Sequence, residues 1–153
     1  MTRHEVTKRL SELTEKLINP NNDSRMYCAR EVTFDYATSN RVRVDYIKFE
    51  QLNNTISGIE KGDFYCYEIK SSVEDFHSKN GHNFIGDYNY YVMPREVYKK
   101  VSAEIPFGVG VYCPTGGSLE SVKQARRMNR KRSVTEMLLM MFRSANRDRM
   151  KGE

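Results

Sequence analysis

The sequence has no run of apolar residues near the roughly 20 needed to span a bilayer, and its start, Met1-Thr-Arg-His-Glu, lacks the apolar core of a signal peptide. A membrane-spanning class is therefore excluded, and residence in the cytoplasm is the expectation. No C-x-x-C pair is present. Cys28, Cys66 and Cys113 are odd in number, widely spaced and set among apolar or aromatic residues, which suits reduced, buried thiols rather than a disulfide framework. His4, His77 and His82 do not fall at ligand spacing with any of them, which argues against a zinc site. Internal repeats, linkers and low-complexity stretches are also lacking. With 153 residues, 39% hydrophobic and 29% charged, the chain reads as one folded domain over residues 1–153.

Basic residues are present, but unevenly. Residues 121–151 hold ten Lys and Arg against two acidic residues, whereas the rest of the chain holds fifteen against eighteen. A basic segment over 119–151, expected to be largely helical, suits a polyanionic partner, nucleic acid before membrane. Arg126, Arg127, Arg130, Lys131 and Arg132, just before a helix start, are the candidate phosphate contacts.

Local patterns define the elements. Thr2-x-x-Glu5 makes a capping box, and Val6, Leu10, Leu13 and Leu17 follow at helical spacing until Asn19-Pro20. Val32, Phe34 and Tyr36 alternate in a first strand, Arg41–Phe49 forms a second, and Phe64–Lys70 a third, antiparallel to the second across an Asn-rich loop. Ser72-x-x-Asp75 caps a short helix, Lys79-Asn-Gly-His marks a break, and Tyr88–Met93 is a fourth strand. Pro94 opens a helix to about Glu104, and Gly108–Cys113 is a fifth, buried strand. Ser133-x-x-Glu136 begins a last amphipathic helix, in which Met137 and Met141 fill the core or form a dimer seam. The pattern predicts an α/β fold with a mixed sheet of four to five strands flanked by helices.

Chemistry is suggested by charges inside apolar strands, where they are costly unless paired or bound to metal. Alternation places Glu68 and Lys70 on one face of their strand, and pairing with the preceding strand brings Asp45 to the same corner. Two carboxylates there make an oxygen-rich pocket for Mg²⁺ or Mn²⁺, with the Ile69 carbonyl as a further ligand. Lys70 is placed to hold or activate a water and to meet phosphate oxygens. The bland alternative is a salt-bridge cluster that only solubilises a sheet edge.

Asp45, Glu68-Ile-Lys70-Ser-Ser, Asp75-Phe76 and Asp87-Tyr-x-Tyr-Tyr-x-x-Pro94 together resemble the PD-(D/E)XK nuclease superfamily, and within it the MmcB-like family of DNA-repair-associated proteins. The resemblance runs from about Arg30 to Pro114, with Val44 in place of the proline that names the superfamily. It implies a restriction-endonuclease-like core, divalent metal at Asp45 and Glu68, and Lys70 as the catalytic lysine. It further implies a third acidic residue, for which Glu31 and Glu15 are the candidates. Ser72, Asp75, Lys79, Asp87 and Tyr88 fall where related sequences carry polar residues near the site, as supporting or substrate contacts. The activity implied is hydrolysis of DNA phosphodiester bonds in repair, processing or mobile-element defence, with DNA preferred to RNA. The alternative is a nuclease-like module that binds nucleic acid or a repair or host protein without cleaving, either as a monomer or as a homodimer.

Overall fold

In a computed structural model describing residues 1–152, the chain opens with helix α1 (Arg3–Ile18). Its start is the capping box read from the sequence. Thr2 Oγ1 accepts from the Glu5 N–H at 3.1 Å, and Glu5 Oε2 accepts from the Thr2 N–H at 2.9 Å. Strands β1 (Tyr27–Phe34) and β2 (Val42–Glu50) follow, then a short helix α2 (Ile56–Glu60) and strand β3 (Asp63–Ile69). Helix α2 lies in the Asn-rich stretch expected to be loop; Thr55 caps it by accepting from the Gly58 N–H.

Helix α3 (Val73–Phe76) precedes β4 (Tyr88–Val92), and α4 (Arg95–Val101), capped at Pro94, runs into a 3-10 turn over Ser102–Glu104. Strands β5 (Gly110–Thr115) and β6 (Ser118–Lys123) then lead to helix α5 (Val134–Lys151). All six strands form one mixed sheet in sequence order. The β1–β2, β2–β3 and β5–β6 pairs are antiparallel, whereas β3–β4 and β4–β5 are parallel.

The sixth strand corrects the expectation of a sheet of at most five and of a helical segment from 119. Gly116, at φ +61, turns the chain back on β5, and Pro114 pairs with Leu119. Leu119 then packs beside α1's core residues, so the first part of the basic segment is sheet.

Helix α1 covers one face of the sheet, where Leu10 and Ile18 meet Tyr46, Tyr67, Ile69 and Val92. On the other face Met137 and Met141 of α5 pack onto Val32, Phe34, Val44, Ile47, Phe49 and Phe64, so these methionines are core. Val97 and Val101 of α4 cover Tyr91, Val109 and Val111 beside them.

One irregularity shapes the site. Ala29 and Val32 of β1, three residues apart, bury into the same cluster, as do Val44 and Ile47 of β2. Strict alternation would place each pair on opposite faces. Between them Glu31, at φ +49, and Asp45 drop out of the ladder, which passes from Arg30↔Tyr46 to Val32↔Val44. The β2–β3 ladder also ends there, at Tyr46↔Tyr67.

Candidate functional site

Where β2 stops pairing with β3, the Ile69 N–H would lose its partner. Asp45 replaces the missing carbonyl, its Oδ2 accepting from the Ile69 N–H at 2.8 Å. Its carboxyl lies beside that of Glu68. Burial first, and then the adjacent Asp45 carboxylate, push Glu68 up to about 9 against the pull of Lys70. Burial also raises Asp45, opposed chiefly by the Ile69 N–H. The shift makes Glu68 the acid of the two that keeps its proton at neutral pH.

Glu68 lies opposite Tyr91 of β4 and is 5% exposed; Lys70, 2% exposed, follows at the end of β3. The Lys70 ammonium donates to the Asp75 carbonyl at 3.1 Å and to the Asn80 carbonyl. Burial lowers its pKa, while Asp75, Glu68 and Asp45 oppose that shift. Over both head groups runs the loop that follows α3. Gly81 crosses there at φ +76, where an added Cβ would stand 2.9 Å from Lys70 Nζ and 3.1 Å from Glu68 Oε2. His82 fastens this loop: its Nε2 donates to the Ser78 carbonyl at 3.0 Å, and the Tyr91 hydroxyl donates to its Nδ1 at 2.7 Å.

Asp45, Glu68 and Lys70 are thus brought together. The remaining sequence candidates divide. Asp75 braces the site: its Oδ2 accepts from the Ser71 N–H and hydroxyl at 2.9 and 3.2 Å, its Oδ1 from Arg3 at 3.1 Å. Ser72 caps α3 by accepting from the Asp75 N–H, which makes it a fold contact rather than a substrate contact. Lys79 is exposed on the covering loop, next to Asn80.

Asp87 and Tyr88 lie elsewhere. Asp87 is at the opposite end of β3, accepting from the Phe64 N–H at 2.8 Å and from Arg130 at 3.2 Å. Tyr88 stacks on Tyr65 at 4.9 Å; alternation puts it with Tyr90 and Val92 on the α1 face, away from Glu68. Glu31 is directed to Arg43 and Arg147, at 4.0 and 3.9 Å, while Glu15 accepts from the Tyr46 hydroxyl at 2.6 Å. Neither supplies a third acid, and among the described residues no cluster of three or more His, Cys, Asp or Glu is placed to hold a metal.

The basic candidates are mostly occupied. Arg127 pairs with Asp63, Arg130 with Asp87, and Arg132 with Asp35 and Glu136. Arg126 lies over the Phe107 ring, and among the described residues neither it nor Lys131 has an ion-pair partner. Phe64, under Arg130, is four strand residues, roughly 13 Å, from Glu68. Of the cysteines, Cys66 and Cys113 are buried as expected, whereas Cys28 is exposed near the start of edge strand β1.

Local sequence did not point to Arg3, Asn80 or Gly81 as parts of the site, and it offered His82 as a phosphate or metal contact and Tyr91 as a base-stacking ring rather than as the pair that fastens the loop. The only signal for the loop was the Lys79-Asn-Gly-His break, which locates a turn but not what the turn covers.

Among the described residues no helix is long and apolar enough to cross a membrane. No family model matches the sequence, and no curated protein matches it. In fold the chain is similar to a protein of unknown function from Silicibacter pomeroyi, with a TM-score of 0.63 and 16% identity over 95% of this chain and 88% of that one.

Proposed function

We propose that the chain is a divalent-metal-dependent nuclease of the PD-(D/E)XK type that hydrolyses DNA phosphodiester bonds in repair, processing or mobile-element defence. One observation carries the reading: two carboxylates and a buried lysine converge where a strand ladder opens, with buried Glu68 on β3, Lys70 just past its end and Asp45 held beside them by the Ile69 N–H. A structural ion pair has no need of a second acid that must keep its proton.

The donor set fits a hard cation. The carboxylates of Asp45 and Glu68 would hold Mg²⁺ or Mn²⁺ with the Ile69 carbonyl, leaving other positions to water and a substrate phosphate. The bound cation supplies Lewis acidity toward the phosphoryl oxygens and a more acidic water. To hold a cation Glu68 would have to release its proton, so binding there would be linked to deprotonation. Lys70, with its lowered pKa, is suited to orient the attacking water and to pass a proton at Nζ. Asp75 and Asn80 aim that ammonium through their carbonyls.

The test is incubation of purified protein with plasmid and single-stranded DNA, with Mn²⁺ and with EDTA. Mn²⁺-dependent cleavage is expected, reduced about 10²-fold or more in Lys70→Ala and in Glu68→Gln. No cleavage by the wild type, or equal cleavage by Lys70→Ala, defeats the enzymatic reading. A second reading, a nuclease-like module that only binds, is favoured by how completely the Gly81 loop covers Glu68 and Lys70. Metal-independent DNA or protein binding without cleavage, unchanged in Glu68→Ala, would support it.

A further inference from the structure

We propose that Arg3, Arg43 and Lys79, rather than the basic stretch 126–132, grip the phosphodiester backbone of the nucleic acid brought to this site. The inference rests on the nuclease reading for the identity of the site, but it concerns binding alone.

Three separate parts of the chain deliver these cations to the edge of the site. Arg3, at the first turn of α1, bonds the side chain of Asp75, whose carbonyl holds the Lys70 ammonium, so guanidinium and ammonium flank a single residue. Arg43 lies two residues before Asp45 on β2, and its carbonyl accepts from Asn83 of the covering loop at 3.1 Å. Lys79 is exposed on that loop, adjacent to Asn80, which also holds Lys70. Arg3 is near enough to Lys70 to disfavour its charge, and Arg43 near enough to Asp45 to favour its ionised form.

These cations are available. The side chains of Arg3 and Arg43 are 65% and 59% exposed, and their acidic partners sit at 3.1 and 4.0 Å. The Arg43–Glu31 contact, exposed on both sides, holds weakly, about 0 to 1 kcal/mol, and Arg3 is the exposed member of its pair with the 19%-exposed Asp75, so a phosphate can replace the carboxylate. Asp75 keeps its two bonds from Ser71 when Arg3 leaves. The contrast with the tail is physical: Arg130 is bonded to a buried Asp87 and lies over Phe64, and Arg132 is held by Asp35 and Glu136. Withdrawing Arg130 would strand the buried Asp87 carboxylate, and Arg132, itself 22% exposed, would have to give up two ion pairs at once.

The experiment is fluorescence anisotropy with a labelled single-stranded DNA oligonucleotide, and with RNA of the same sequence, in EDTA across a salt series. Each phosphate contact contributes about 0.7 to the slope of log affinity against log salt for a single strand. The triple variant Arg3→Gln/Arg43→Gln/Lys79→Gln is expected to lower the wild-type slope by about 2. Arg126→Gln/Lys131→Gln is expected to leave it within about 0.5. Circular dichroism checks that each variant folds, and Arg3→Lys/Arg43→Lys should restore binding, since a backbone contact needs charge. Binding by the triple variant with the wild-type slope, a larger loss in the tail variant, or no wild-type binding to either oligonucleotide overturns the proposal. Wild-type binding through these three residues without Mn²⁺-dependent cleavage leaves it standing while ending the nuclease reading.

Discussion

At Glu68, burial and the neighbouring Asp45 carboxylate outweigh the attraction of Lys70, and the resulting shift has a sign that can be measured. Unfolded, this carboxyl titrates near 4.5; folded, it holds its proton to about 9. Between those values the native state binds one more proton than the unfolded chain, so its contribution to stability is fullest below 4.5 and falls as pH rises toward 9. The slope is at most about 1.4 kcal/mol per pH unit. Urea unfolding at pH 6 and pH 8 should therefore show the wild type losing about 2 to 3 kcal/mol relative to Glu68→Gln, which carries no titrating group there. Parallel losses in the two proteins would contradict the assignment. A second residue-scale prediction concerns Gly81, which sits at φ +76 against Lys70 Nζ and Glu68 Oε2. Gly81→Ala adds both a left-handed strain of roughly 1 to 2 kcal/mol and a methyl where the ammonium lies. It should lower stability by that amount in urea unfolding and weaken Mn²⁺ binding in calorimetry, whereas an unaltered midpoint would mean that the loop does not press on the site.

Among the elements, the segment between β6 and α5 is the one most dependent on a single buried charge. Asp87 accepts from the Phe64 N–H at the start of β3 and from Arg130, while its carbonyl accepts from the Met128 N–H at 2.8 Å. Asp87→Ala leaves Arg130 without its carboxylate over Phe64 and the Phe64 N–H without an acceptor; about 3 to 5 kcal/mol should be lost. Asp87→Asn keeps an acceptor for the Phe64 N–H and should lose less. Denaturant midpoints for the pair test this, and a loss under about 1 kcal/mol in Asp87→Ala would remove the anchor role. The elements also separate what local sequence could disclose from what it could not. The capping box at Thr2 and the Ser133 cap were legible because a cap is made by residues three apart, although at Ser133 the box stays open, the Glu136 carboxylate being taken by Arg132. Glu68 and Lys70 were legible as a same-face pair because alternation is local, and Asp45 followed from the β2–β3 pairing. Asp87 and Tyr88 were misplaced because sequence proximity to β4 specifies neither the end of the strand nor the face. β6 was hidden by its charges, although Gly116-Gly117 marked its turn. The break in the ladder at Glu31 and Asp45 carries no local signature, since a positive φ at a glutamate is imposed by tertiary contacts. Nor could periodicity assign the Gly81 loop to Lys70, because a loop's resting place is set by what it covers.

For the molecule as a whole, the two faces of the sheet are covered by helices from the two ends of the chain, α1 on one side and α5 with α4 on the other. Helix α5 also closes an edge. The Ser144 hydroxyl and the Arg147 guanidinium donate to the carbonyls of Arg30 and Glu31 on β1, and Arg30 pairs with Asp148 at 3.0 Å. These carbonyls belong to the strand at the sheet's margin, where unpaired backbone invites pairing with another chain. A chain truncated after Arg132 loses two protections at once: the Met137 and Met141 cover over Val32, Phe34, Ile47 and Phe49, and the capped edge. Losing one methionine's contacts alone, as in Met141→Ala, costs about 2 to 5 kcal/mol, a large part of the roughly 5 to 15 kcal/mol that holds a domain folded, and the truncation loses both methionines together with the edge. The truncated chain is therefore expected to aggregate, or to bind an apolar dye and unfold without a cooperative transition. Met141→Ala should instead stay monomeric with a lowered midpoint, because its β1 edge remains capped. Sedimentation and thermal melts of the two proteins separate the roles. If the truncated chain remains monomeric and melts cooperatively, β1 is not held by α5, and the break that frees Asp45 from the ladder must be maintained by the sheet itself.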